Sequence, residues 1–498
     1  MENVRGWIRT ALLVPIAAAL VLHSLVFDFV CDDAYISFVY SRNLAEHGQL
    51  VFNLGDRVEG YTNFLWMFVL GLLMKVGIAP EVAARVLGTA CGVATLYVIM
   101  KLGERLRGKP SLWDLVAPAL LAGASGYACW CSGGLESQLF TFLVVLGMTT
   151  EASVPAGVAL ALAALTRPEG VLVAGVVGLW RTVVGRKLDL RFGLAFLAVW
   201  APYFAWRWWY YGWLFPNTFY VKAGGTPPPG YSRDMLNQGL YYVWQWAWQS
   251  RAIFAVPLAA LAVWRRRRWS LLAVALTVIY LGYAVSVGGD FMGLHRFILP
   301  LFVTTAVLAA LGAEVLAAWL PAPVRPLLAA LLVAGYALSE RPVTQQALVP
   351  IADHGIDRPG YLKVYSDDRG LLGKALAPHL VPDDFSIVGG VGVQPYYGRM
   401  RAIDVFGLVS DDIAHNEPPT RARPGHQKWA SNERILKYAP TFIFSCYDLH
   451  TQPENAHMPC DVGWFGQRGY EVVTLHVPGL RERGEYYTFL KRKDRTWP

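Results

Sequence analysis

Two adjacent carboxylates, Asp32 and Asp33, stand in "CDDAYISFVY" directly after a run of roughly twenty mostly apolar residues. A carboxylate in such a place can take the proton of a hydroxyl nucleophile as a general base. It can also simply cap a helix: an Asp before "AYISFVYSRNLAEHG" satisfies free backbone amides and suits the helix dipole. One acid suffices for the cap, which leaves the other to face a site, and their order favours Asp33 as the base. A base needs an electrophile, and cations elsewhere suggest its chemistry. "FPNTFYVK" ends on Lys222, and "GGDFMGLHRF" carries Asp290, His295 and Arg296. Arg holds a phosphate by a bidentate fork and Lys holds it as a point charge, and both stabilise negative charge on a departing phosphate.

Composition decides which elements position these groups. Of 498 residues 55% are hydrophobic, 13% aromatic and only 16% charged, a balance foreign to soluble globular domains. The chain reads as a polytopic membrane protein. Its net charge of +8 does not point to nucleic acid, because the basic residues cluster between apolar runs. These clusters are Arg5 and Arg9, then Lys101 to Lys109, Arg181 to Arg191, and Arg265 to Arg268. They read as cytoplasmic loops by the positive-inside rule.

With the N-terminus inside, Trp7 to Phe27 is a retained span that delivers Asp32 and Asp33 to the outer face. "YTNFLWMFVLGLLMKVG" then lies along the outer interface, and Pro80 to Gly103 crosses inward. Further spans follow at roughly 112–130, 135–150, 155–166, 170–183, 192–209, 253–264, 269–287, 298–319 and 324–338, eleven in all. The polar residues Arg42, Glu59, Glu136, Arg167 and Glu169 fall on the same outer side as the two acids. Ionisable residues at membrane depth are costly and usually functional.

The expected fold is therefore an all-α membrane domain, residues 1–339, followed by a soluble α/β domain, residues 340–498. In the tail "FSIVGGVGV", "TFIFSC" and "YEVVTLHV" read as strands between turn-rich segments. "GGVGV" lacks the spacing of a dinucleotide-binding turn and reads as a tight strand-end turn. Cys446 and Cys460 fall in this tail, and in an oxidising compartment they could form a disulfide.

The quoted motifs, together with "LTRPEG", "IDVFGLVSDDIA" and "PGHQK", resemble the bacterial membrane glycosyltransferases of the GT-C superfamily, in particular the terminal β-(1→2)-arabinofuranosyltransferase branch. That resemblance covers nearly the whole chain. It implies a transferase in the bacterial cytoplasmic membrane, working on the outer, periplasmic face. Its donor would be a polyprenyl-phosphate-linked sugar and its acceptor an envelope glycan, lipid or protein. The resemblance puts a catalytic base at Asp32 or Asp33, and places Glu59, Lys222, Asp290, His295 and Arg296 around donor and acceptor; Arg42 and Arg167, on the same outer side, are expected as further substrate contacts. D-arabinofuranose is the favoured sugar, with a hexose or aminoarabinose as the alternative. Some members of the superfamily use a divalent metal, which paired carboxylates are able to bind. "GHQK" departs from the pattern by carrying Gln427 where relatives often have an acid. A lipid-linked glycan transporter is the rival of another class, but the internal repeats common in transporters are not evident here.

Overall fold

The computed structural model describes residues 2–265 and 267–497. Arg266, a member of the basic cluster at 265–268, lies outside the described residues. The chain opens with four helices: α1 (Glu2–Leu25), α2 (Asp32–His47), α3 (Phe64–Lys75) and α4 (Pro80–Arg107). Helix α4 begins on Pro80, where the missing N–H has no partner to lose, and stops at Gly108, whose φ of 76° is the left-handed conformation of a C-terminal cap. Its 28 residues reach about 42 Å at 1.5 Å per residue, more than the hydrocarbon thickness of a bilayer.

The two ends of α4 therefore stand at opposite poles of the bundle. Near its start Glu81 accepts a hydrogen bond from Tyr397 of the C-terminal region, 2.8 Å away. Near its end Arg107 pairs with Asp114 and, at 2.6 Å, with Glu314. Helix α1 brings Arg9 to the same knot, donating to Asp114 at 2.6 Å and Glu104 at 2.7 Å. Arg9 and Asp114 are buried, and their mutual pairing is what makes such burial tolerable.

Among the described residues five segments are long and apolar enough to cross a membrane by themselves: Gly6–Leu25, Pro80–Arg107, Arg268–Ser286, Gly293–Ala318 and Ala322–Ala347. Two bent pairs, Leu112–Gly123 with Ser125–Ser132 and Tyr231–Gln249 with Ala252–Arg265, raise the number to seven at most. Length and composition thus identify fewer crossings than the eleven expected, several of which are short already in the sequence. Several expected spans are short helices such as Ser137–Thr149 and Ser153–Thr166, of 13 and 14 residues. Most of their side chains are buried against other helices, so protein and not lipid sets their length. Helix α3, with 12 residues, is too short to cross and packs Trp66, Met67 and Leu70 inward.

The expected domain boundary at residue 340 falls inside the continuous helix Arg325–Ala347. Its polar end reads like tail but is held by the bundle. Glu340 is buried and accepts the N–H of Ser125, freed where the first bent pair breaks, at 2.8 Å. One turn further on, Thr344 meets His23 at 2.9 Å.

Beyond Ala347 come a short hairpin of β1 (Ala352–Asp353) and β2 (Ile356–Asp357), the helix Pro359–Leu376, and five longer strands. These are β3 (Phe385–Val388), β4 (Arg401–Asp404), β5 (Phe442–His450), β6 (Tyr470–His476) and β7 (Tyr486–Arg492). They form one mixed sheet in the order β4-β3-β5-β7-β6, with β3 parallel to β4 and β5, and β7 antiparallel to both neighbours. Strands β4 and β7 were not foreseen from the sequence.

Cys446 on β5 pairs with Cys460, the two Cα atoms 5.9 Å apart. Alkylation of protein purified without reductant is expected to modify neither, and Cys446→Ser to destabilise the tail by about 2–3 kcal/mol, as for a loop of this size. Recovery of both tail cysteines in labelled form overturns the pairing.

Candidate functional site

Helix α2 is the seam between the two halves of the molecule. It is rich in polar residues, yet Ala34 to Asn43 are all buried, because α3 covers one side and the C-terminal region the other. Tyr35 packs edge-on to Tyr396 at 5.2 Å, and Phe38 meets the same ring at 6.2 Å. Arg42 stacks over Tyr396 at 4.9 Å and donates to its carbonyl at 2.8 Å. The substrate contact expected of Arg42 is replaced by a docking contact, nine residues along the helix from Asp33.

The N-cap of α2 is Cys31, so Asp32 and Asp33 both lie in its first turn and neither is the cap that the sequence suggests. Their side chains diverge. Asp32 turns to the C-terminal region, where Oδ1 accepts the N–H of Val393 at 2.8 Å, at the start of the short helix Val393–Gly398. A Cβ on Gly392 would lie 2.0 Å from the Asp32 carbonyl oxygen, so close approach requires glycine there. Asp33 turns the other way, toward Arg296, with Oδ2 3.6 Å from Nη2. That is ion-pair distance but longer than a hydrogen bond, which leaves the carboxylate able to accept a proton.

Arg296 is oriented by Asp290, whose Oδ2 accepts from Nε at 2.6 Å, and its guanidinium stands over Trp130 at 5.8 Å. Arg296 comes from the turn Gly293–Ile298, in which Leu294 and His295 have φ of 58° and 61°. This contorted turn sends His295 and Arg296 different ways. His295 is buried, edge-on to Tyr242 at 5.0 Å and bonded through Nε2 to Gln249 at 2.9 Å. It is thereby engaged away from Arg296 and is not placed to take a phosphate.

A second charged group adjoins the first. Arg167, in the break between Ser153–Thr166 and Glu169–Gly185, pairs with Glu136 at 2.8 Å and Glu169 at 3.2 Å, while Asn63 donates to Glu136 at 3.0 Å. Arg167 is thus a clamp between helices. Lys222 is exposed at the end of Asn217–Ala223, within electrostatic reach of Glu169 and Asp290. Its helix is fixed by the C-terminal region, since Asn217 donates to Leu408 at 3.3 Å and Tyr220 packs on His415 at 4.0 Å.

Glu59 lies apart from this group. Both its oxygens are taken by Arg207, at 2.9 and 3.0 Å from Nε, and its carbonyl accepts from Asn217. It braces the loop that leads to Lys222. Gln427 is buried with Lys428, whose Nζ donates to Ala414 at 2.6 Å, and both belong to the packing of the same support.

Burial among protein raises the Asp33 pKa to about 7, and Asp32, Asp290 and Glu136 push the same way, while Arg296 opposes them. For Asp290 burial also favours the neutral form, but Arg296 and Lys222 outweigh it and hold the carboxyl below its usual range. The two acids facing one arginine therefore differ: Asp290 is a fixed anion and Asp33 a group poised to exchange a proton near neutrality. Among the described residues no three of His, Cys, Asp and Glu gather as a metal would need. Asp290 is bonded to Arg296, Asp32 to a backbone amide, and Asp33 faces the same guanidinium, so the donor set does not fit a divalent cation. Asn63, Trp130 and Gly392–Val393 went unnoticed in the sequence; "GGVGV" was the visible signal for the last.

The architecture is that of ArnT. The chain superposes on the crystal structure of ArnT from Cupriavidus metallidurans bound to undecaprenyl phosphate with a TM-score of 0.57 at 14% identity, over 99% of either chain. On the apo form the TM-score is 0.60, also at 14% identity, over 100% of both chains. Among curated proteins it is similar to the terminal beta-(1->2)-arabinofuranosyltransferase of Mycobacterium tuberculosis, 28% identical over 56% of this chain and 52% of the relative. The Corynebacterium glutamicum protein of the same name is 26% identical over 55% of this chain and 46% of its own. The chain spans about half the length of these relatives. Residues 363–491 match a family described as a domain of unknown function, DUF8728. The resemblance read from the motifs stands on both relatives and fold, and this is a multi-pass membrane protein.

If Asp32 and Gly392 dock the two halves, Gly392→Val should lower the melting temperature and speed amide exchange in Val393–Gly398 and the first turn of α2. Unchanged exchange in both segments would show that the contact is dispensable.

Proposed function

We propose that the chain is a membrane glycosyltransferase that moves a sugar from a polyprenyl-phosphate donor to a hydroxyl of an envelope glycan, lipid or protein, with inversion. D-arabinofuranose is the sugar favoured by the names of its relatives. The enzyme would sit in the bacterial cytoplasmic membrane, with the site and the region beyond Ala347 on the outer face. The observation that carries the reading is the divergence of the acids, with Asp32 tied to Val393 and Asp33 at ion-pair distance from Arg296 without a hydrogen bond to it.

In this mechanism Asp33 accepts the proton of the acceptor hydroxyl as its oxygen attacks the anomeric carbon. The bond from that carbon to the phosphate oxygen breaks, and the electron pair leaves with the polyprenyl phosphate. Arg296, aimed by Asp290, and the exposed Lys222 neutralise the charge that develops there. The fold shared with ArnT, crystallised with undecaprenyl phosphate, supports a donor of this lipid class. Glu59, Arg42 and Arg167 act through packing and His295 through its turn, so their loss should disturb folding before it disturbs chemistry.

Incubation of the full-length protein with a panel of synthetic polyprenyl-phosphate sugars and an arabinan acceptor is the direct test. Transfer of arabinofuranose is expected; transfer of a hexose or aminoarabinose alone replaces the sugar and keeps the class, and no transfer from any donor overturns the reading. With the active donor, Asp33→Asn should fold and lose about 10²-fold or more, the scale of general-base loss. Asp32→Asn keeps an oxygen for Val393 and should retain most activity; the reverse ranking would exchange the two roles.

The rate should also depend on pH in a definite sense. Only the deprotonated Asp33 can accept a proton, so turnover should rise through a midpoint near 7. Arg296 lowers that midpoint, and Arg296→Gln should therefore move it upward as well as weaken the donor. A profile flat from pH 5.5 to 8.5 would remove Asp33 as the base.

A further inference from the structure

At the pole opposite Asp33 the bundle opens a cleft of about 870 Å³. Its floor is apolar, made by the buried Met148, Val177 and Leu272 with the half-buried Trp180 and Trp269 beside them. Its rim carries five cations, Arg105, Arg181, Lys187, Arg191 and Arg268, against two carboxylates, Glu151 and Asp189.

Part of this charge is spent on the walls. Asp189 accepts from Arg181 Nε and from Ser153, both at 2.7 Å, and from the N–H of Phe192. Arg181 also donates to the carbonyls of Thr150 and Glu151, and Arg105 to that of Thr149 at 2.6 Å. These bonds tie off the end of Ser137–Thr149. Lys187, Arg191 and Arg268 are exposed at the mouth and meet no carboxylate within ion-pair distance among the described residues.

The cleft is also flanked by exposed apolar side chains. Leu188 and Leu190 are 68% and 61% exposed in its lining, and Leu194 continues the same apolar face along the next helix. Three like charges converge on a concave space whose sides are greasy and which holds two indole rings, the side chains that favour a membrane–water interface. Such a place suits an anion carried on acyl chains better than a free one.

We propose that this cleft binds the phosphate headgroup of an anionic phospholipid, held by Lys187, Arg191 and Arg268, with its acyl chains along Leu188, Leu190 and Leu194. A zwitterionic lipid brings its own ammonium and has less to gain from these cations. The site is separate from the one proposed for the donor and does not depend on the reaction.

Native mass spectrometry of the full-length protein, titrated with phosphatidylglycerol or phosphatidylcholine, tests it. Retention of phosphatidylglycerol should fall about fivefold for each cation removed, so about a hundredfold in the Lys187→Gln/Arg191→Gln/Arg268→Gln variant, with phosphatidylcholine unaffected. Should the triple variant not elute as a single species, Arg191→Gln and Lys187→Gln alone are each expected to show the fivefold loss. Equal retention by parent and variant, or equal retention of the two lipids by the parent, overturns the proposal. Displacement by inorganic phosphate, or by undecaprenyl phosphate at lower concentration than phosphatidylglycerol, would equally overturn it, by making the cleft a site for a free anion or for the carrier.

Discussion

The contact between Asp32 and the backbone of Val393 is the constraint on which the candidate site depends. It closes a gap of more than 350 residues in sequence and is made possible by the bare Cα of Gly392 against the first turn of α2. Because one acid is held there, the helix cannot rotate, and the next residue must point elsewhere. A helical step of about 100° per residue then carries the Asp33 carboxylate round toward Arg296. The tyrosines at 396 and 397 and the guanidinium of Arg42 extend the same docking along α2. The membrane half supplies the charged groups, and the C-terminal half decides how they are presented.

Two ionic assemblies mark the poles of the bundle, and they differ in kind. Around Arg9, Arg107, Asp114 and Glu314 the charges are closely paired and the knot is mechanical, joining α1 to the end of α4. Around Arg296 pairing is incomplete: Asp290 is bonded directly, Asp33 stands off at 3.6 Å, and Lys222 is exposed. Buried charges that are fully matched contribute shape, whereas a partly matched set retains the capacity to receive another charge. The second arrangement is the one that a phosphate can complete.

The contorted turn at Gly293–Ile298 shows how backbone strain can sort neighbouring side chains. Two consecutive non-glycine residues in the left-handed region are costly, of order 1–3 kcal/mol each, and persist only when the surroundings hold them. Here His295 is held by Gln249 and Tyr242, and Gly293 packs close to the carbonyl of Asp357. The return is an arginine aimed along the seam.

Much of this was legible in the sequence, and for definite reasons. Apolar runs and the clustering of basic residues respond to the bilayer residue by residue, so the membrane class and the positions of the helices followed without tertiary information. The strands at Phe385, Phe442 and Tyr470 declared themselves by their β-branched and aromatic runs, and among the charged residues that the resemblance nominated the fold brings Asp33, Asp290 and Arg296 together. Helix lengths did not follow, because the partner of a short helix such as Ser137–Thr149 is protein, which composition alone cannot distinguish from lipid. Nor did the end of the membrane half, since the polar stretch after Ser339 looks like tail until Ser125 is seen to need Glu340. Residue types could nominate Asp32, Asp33, Glu59, His295 and Arg296, but not divide them. That division rests on partners distant in sequence: Val393 engages Asp32, Arg207 engages Glu59, Gln249 engages His295, and Asp33 is left facing Arg296 without a hydrogen bond to it.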